Sequence, residues 1–151
     1  MPGPTNRNHI TAAAIDGKLY VAGGRHTGGS FADPMTDALD VYDPASGWSS
    51  GGRMLRPRGG VNGIAAFGCF FVWGGEGANI GEPNNVFPDH DVYNPLTNMW
   101  TSLPDLPTPI HGVTGAAFVD GLIYMPGGGT AQGGSSGSTL FQVYRPASRC
   151  E

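Results

Sequence analysis

Few side chains in this 151-residue sequence can do chemistry. Four histidines, His9, His26, His90 and His111, fall on or near loops, and His90 lies between Asp89 and Asp91. Imidazole with carboxylate suits Zn or Fe, and a metal-activated water would support hydrolase or lyase chemistry. Three arginines, Arg7, Arg25 and Arg58, could instead grip a small anion through paired N–H donors. Neither set carries a local motif, because HxH and HExxH spacings are absent. No strand–elbow–helix context for a serine nucleophile is read, and residues 135–138 look like flexible linker. The Gly-Gly pairs do not read as phosphate loops, since no helix follows them. Any site must therefore be assembled from segments far apart in the chain.

The segments that could assemble it are repeated. Gly-Gly pairs close three apolar runs, ending at Gly24, Gly75 and Gly128. Seventeen residues before each lie Arg7, Arg58 and His111. Between these landmarks sit Asp16-Gly17, Phe67-Gly68 and Asp120-Gly121, each flanked by apolar runs, the pattern of a hairpin. A Val-Tyr pair and an X-Pro turn follow, with tyrosines Tyr42, Tyr93 and Tyr144. Trp48 and Trp100 come next in the first two copies, whereas the third copy stops at Glu151 before a tryptophan.

Each unit reads as strand, turn, strand, Gly-Gly, polar loop, strand, X-Pro turn and Trp-bearing strand. This order of double glycine, tyrosine and tryptophan resembles the kelch repeat and covers nearly the whole chain. The resemblance implies an all-β fold, a half or fragment of a β-propeller with four-stranded antiparallel blades. Two blades are complete and one is partial, within a single domain at residues 1–151 whose repeats span about 7–57, 58–110 and 111–151. Such a blade cannot bury both faces alone, so the repeated aromatics are expected between neighbouring blades. Three blades leave two open faces. They are closed either by a second copy, giving a six-bladed homodimer, or by the remainder of a larger propeller.

Antiparallel topology then locates the site. A hairpin joins the far ends of the first two strands, so the residues before the first strand share a rim with those after Gly-Gly. The expected ligand-binding set at that rim is Arg7, His9, Arg25, Arg58, Glu76 and His111, with His9, His26, His90 and His111 as the metal candidates. Kelch propellers most often present such loops to a protein or small ligand. The resemblance thus implies a binding module for a protein partner or a small anionic ligand. A metal-dependent hydrolase or lyase using Zn or Fe, and an inactive fragment of a larger propeller, are the alternatives. The copper site of the galactose-oxidase type and the Glu-xxx-Asp-xxx-His iron loop of plant specifier proteins have no counterpart here. His90 is the exception in its slot, which holds Leu39 and Phe141 in the other copies, and reads more simply as a strand-edge histidine near the surface. Asp40 and Asp91 recur in one slot and read as structural.

Composition narrows the partners. A net charge of −4 argues against nucleic acid or an anionic membrane surface. The apolar stretch from Ile64 to Trp73 is too short to span a bilayer, and no signal peptide is read at the N-terminus. Cys69 and Cys150 give no disulfide framework. These features favour a soluble, cytoplasmic chain, with a secreted parent as the other option.

Overall fold

The computed structural model describes residues 3–28, 30–112, 115–147 and 150. Its strands run in order β1 (Arg7–Asn8), β2 (Thr11–Ile15), β3 (Lys18–Ala22), β4 (Arg25–His26), β5 (Leu39–Asp43), β6 (Gly47–Ser50) and β7 (Asn62–Ala66). They continue as β8 (Cys69–Trp73), β9 (His90–Asn94), β10 (Met99–Ser102), β11 (Ala117–Val119), β12 (Leu122–Pro126) and β13 (Phe141–Tyr144). Three antiparallel sheets result: β2-β3-β5-β6, β7-β8-β9-β10 and β11-β12-β13. The first two are four-stranded blades, and the third has three strands among the described residues. A short ladder of β1 with β4 caps the first blade at the rim.

Each blade starts with the same hairpin. Asp16-Gly17, Phe67-Gly68 and Asp120-Gly121 all hold positive φ at both central positions, between 48° and 77°. This is the mirror-image turn whose twist suits adjoining strands. Phe67 adopts it despite its bulk and packs edge-on against Phe118 of the next blade, with ring centroids 4.8 Å apart.

The aromatic slots lie between blades. Tyr20, Leu39 and Val41 of the first blade cluster with Phe70, Val72, Tyr93 and Trp100 of the second. Phe71, Trp73 and Val92 of the second cluster with Ile123 and Met125 of the third. Complete burial stabilises by about 1.5–3 kcal/mol for each large apolar side chain, so these two seams hold the blades together. The double glycines stitch the same seams through the backbone. The Gly24 amide donates to the Arg58 carbonyl at 2.8 Å, and the Gly75 amide to the Ile110 carbonyl at 3.1 Å. Gly23 has φ 65°, and a Cβ there would come within 2.8 Å of the Arg58 carbonyl, so only glycine allows this approach.

Two expectations are corrected. The cysteines do pair: Cys69 in β8 is bonded to Cys150, 81 residues away. Linear spacing hid this, because the bond needs the third blade stacked on the second. His90 is not near the surface. It is 2 % exposed and seated in the second seam, edge-on to Tyr144 at 4.5 Å and to Trp73 at 6.3 Å.

Desolvation lowers the His90 pKa to about 4, with the Pro104 carbonyl opposing and Arg58 reinforcing. The folded pKa lies below the ordinary 6.5. His90 therefore contributes a pH-dependent loss of stability as pH falls from 6.5 towards 4, and none above that window. Replacing it with the first repeat's residue, His90→Leu, should remove this loss. Urea denaturation at neutral pH and near the lower end of the window should show the variant gaining about 2–3 kcal/mol on wild type in acid. An unchanged difference between the two conditions would show that His90 is not buried neutral.

Candidate functional site

The rim is built on buried ion pairs. Arg7 Nη2 meets Asp40 Oδ2 at 2.7 Å and donates to the Val21 carbonyl, while Arg7 Nη1 donates to that of Ala38. One repeat later Arg58 Nη2 pairs with Asp91, and its Nη1 donates to the carbonyls of Gly74 and Asp89. In each case one guanidinium gathers the end of the second strand, the approach to the third strand and a carboxylate within it. Burial pushes the Asp91 carboxyl up to about 6 against the pull of Arg58, and lowers the Arg58 pKa against the pull of Asp91. Asp40 and Asp91 are structural, as their recurrence suggests.

This corrects the reading of the arginines as free ligand-binding arms. Arg58 and Arg25 are 0 % exposed. Arg25 Nη2 donates to the Glu76 backbone carbonyl at 2.8 Å and lies 3.4 Å from Glu76 Oε1, with Phe31 over its face. Arg7 is taken up by Asp40 and two carbonyls. Residue type gave no warning, because an arginine reads the same whether buried or free.

Three of the expected residues do converge. His9, Glu76 and His111, one from each repeat, line a cavity of about 490 Å³ together with Phe31, Gly60 and the glycine-rich loop after the third Gly-Gly. Burial and the nearby Arg25 charge lower the His9 pKa, with Glu76 opposing. His9 occupies a left-handed position, φ 55°, and Gly60 holds the equivalent place in the second repeat at φ 67°. His111 Nε2 donates to the Ala131 carbonyl at 2.7 Å, which turns Nδ1 towards Glu76 Oε1 at 3.5 Å. Glu76 Oε2 accepts from the Gly133 amide at 2.8 Å.

That loop is not the free linker its composition suggested. Ser136 Oγ donates to the Ala131 carbonyl, the Gln132 amide to the Asn84 carbonyl, and Asn85 Nδ2 to Gln132 Oε1. The turn at Pro83–Asn85 thus pins it to the second blade. The histidines do not come together as a set. His26 Nδ1 lies 3.3 Å from the Asn6 carbonyl and His90 is enclosed in the seam. Among the described residues no group of three or more His, Cys, Asp and Glu side chains is placed to hold a metal. No helix among them is long and apolar enough to cross a membrane.

Stacked antiparallel blades with unequal loops at one rim define a β-propeller, here part of one. The solved structure of YjhT superposes with a TM-score of 0.72 at 17% identity, over 94% of this chain and 52% of that one. Kelch-like protein terF of Aspergillus terreus is 30% identical over 95% of this chain and 30% of its own length. Kelch-like ECH-associated protein 1A of Danio rerio is 33% identical over 75% of this chain and 18% of its own length. No protein-family model matches the sequence. The chain belongs to the kelch-repeat β-propeller family, and it spans about a third or less of the curated relatives named here.

Because Arg58 neutralises a buried carboxylate, Arg58→Ala should destabilise the fold by about 3–5 kcal/mol. The apolar pair Arg58→Met with Asp91→Leu should recover most of that loss, since it leaves no charge uncompensated. Denaturant midpoints decide the matter: a single substitution as stable as wild type would show that the pair holds nothing.

Proposed function

We propose that this chain is a protein-interaction module whose recognition surface is the rim cavity of His9, Glu76 and His111. The observation that carries this is the contrast between slots. The hairpin glycines, double glycines and blade tyrosines recur from blade to blade, whereas His9, Glu76 and His111 each differ from the residues in their slots of the other repeats. Unequal side chains on equal scaffolds are how a repeated fold writes a specific surface. The zebrafish relative is named for association with another protein, which fits that role. With Arg7, Arg25 and Arg58 enclosed, the cavity is lined by one carboxylate, two imidazoles and a wall of glycines, with His9 the most exposed of the three side chains. That set suits a peptide loop better than a free anion.

The two open faces suit a second copy. Phe141 and Val143 are exposed on the third blade, in the slots of Leu39 and Val41, which pack against the second blade. Leu19 and Val21 of the first blade hold the slots of Phe70 and Val72, which receive that packing. The first blade of one copy therefore offers the third blade of another the kind of surface already seen at the first seam. Two copies would close six blades, and this chain covers 52% of the YjhT propeller. The Cys69–Cys150 bond supports an oxidising compartment as the setting for this assembly.

Peptides selected by display on the immobilised chain should lose about tenfold or more in affinity with Glu76→Gln or His9→Gly, and nothing with Leu96→Ser at the opposite rim. Equal binding to all variants would move the interaction surface elsewhere. In sedimentation velocity at high micromolar concentration, wild type should run at twice the chain mass and Phe141→Glu as a monomer. A wild-type monomer would refute the paired ring and leave the rest of a larger propeller as the cover.

A further inference from the structure

Apart from the rim, the blades enclose a second cavity of about 330 Å³ on the channel side, bounded by the inner strands. Thr11, Asn62 and Gly115 reach it from the same slot of the three repeats, thirteen residues before Gly24, Gly75 and Gly128. Asn62 and Trp73 lie directly opposite one another on β7 and β8, so both side chains leave the same face of the sheet. Asn62 is 3 % exposed and Trp73 fully buried. Asn62 Nδ2, Asn62 Oδ1 and Trp73 Nε1 nevertheless have no hydrogen-bond partner among the described residues. Buried polar groups are almost always paired, and each unpaired one weakens the fold. All three belong to residues that line one cavity, and that marks a place where the fold is held ready for something else.

We propose that this cavity binds a neutral amide group, recognised by Asn62 and Trp73. The remaining walls are Ile10, Ala12, Val61, Gly63 and Ala116, so no charged side chain among the described residues lines the cavity. An ion would be stripped of water there without compensation. The Asn62 amide offers one acceptor and two donors in a single plane, and a second amide is its complement, accepting from Nδ2 and donating to Oδ1. A carbonyl oxygen has two lone pairs, and the Trp73 N–H supplies the second donor. Nothing lies within 4 Å of a Cβ built on Gly115, so the third repeat leaves the entrance clear. The amide could belong to an Asn or Gln side chain, to a peptide backbone, or to a free small molecule. This proposal does not depend on the rim reading.

The test is a titration of the full chain, indole-15N labelled, with acetamide, acetate and methylammonium, followed by the three tryptophan N–H resonances. The Trp73 signal is assigned by its loss in Trp73→Phe. Acetamide alone should shift it in a saturable way, leaving Trp48 and Trp100 unmoved. A capped asparagine against a capped alanine then separates a side-chain amide from the backbone. Asn62→Leu should weaken acetamide binding by about tenfold or more while raising the thermal midpoint, because it removes unpaired polar atoms. Asn62→Thr, the first repeat's residue, keeps the slot foldable and should lose the binding too. No saturable shift, an equal response to acetate or methylammonium, or binding retained in both Asn62 variants would overturn the proposal.

Discussion

The fold depends on guanidinium groups removed from water. Arg58 holds three backbone and side-chain elements of its own blade, while its carbonyl accepts the Gly24 amide of the blade before. One residue thus sets both the internal shape of a blade and the spacing between two. Arg7 repeats the internal half of this arrangement in the first blade. The third blade has His111 and Gln142 in the slots of arginine and aspartate, and Gln142 instead bonds the backbone of Thr108. The rim site therefore uses the one blade in which the internal clamp is missing. His111 is free to face Glu76 because it no longer has to hold its own blade together.

Polar groups without partners gather at the channel and not in the seams alone. Arg25 Nε and Nη1 lie behind the rim cavity, while Asn62 and Trp73 line the inner one. Natural folds satisfy their buried donors elsewhere, so departures from that rule tend to collect where function is kept. The first aromatic seam shows the opposite. Tyr93 Oη meets Asn98 and Trp100 Nε1 donates to the Gly52 carbonyl, so these rings are bonded as well as packed.

Much of the architecture was legible because it repeats. Three hairpins, three double glycines and the strand order of the blades could be read from spacing, and the rim was located by strand direction alone. The convergence of His9, Glu76 and His111 followed from the same reasoning. Depth was not legible. Whether Arg58 points to solvent or to Asp91 depends on how blades stack, and the same holds for His90 in its aromatic pocket. Asn62 carried a usable signal, a polar residue in an inner-strand slot shared with Thr11 and Gly115, but pattern alone does not show that its amide lacks partners. Cys69 and Cys150 were further out of reach, since nothing local relates a strand in the second blade to the chain's end.

That disulfide has a mechanical consequence. Pulled from points on either side of the bonded pair, the chain would pass tension from Cys69 straight to Cys150 through the sulfur bridge. The intervening 81-residue separation, holding most of the second and third blades, would carry no load. About 270–290 Å of contour length is hidden from extension in this way, and of the described strands β1 to β7 stay outside the loop and can unravel. Under tension the molecule is a short leash attached to a covalently closed loop, and the rim residues Glu76 and His111 sit inside that loop.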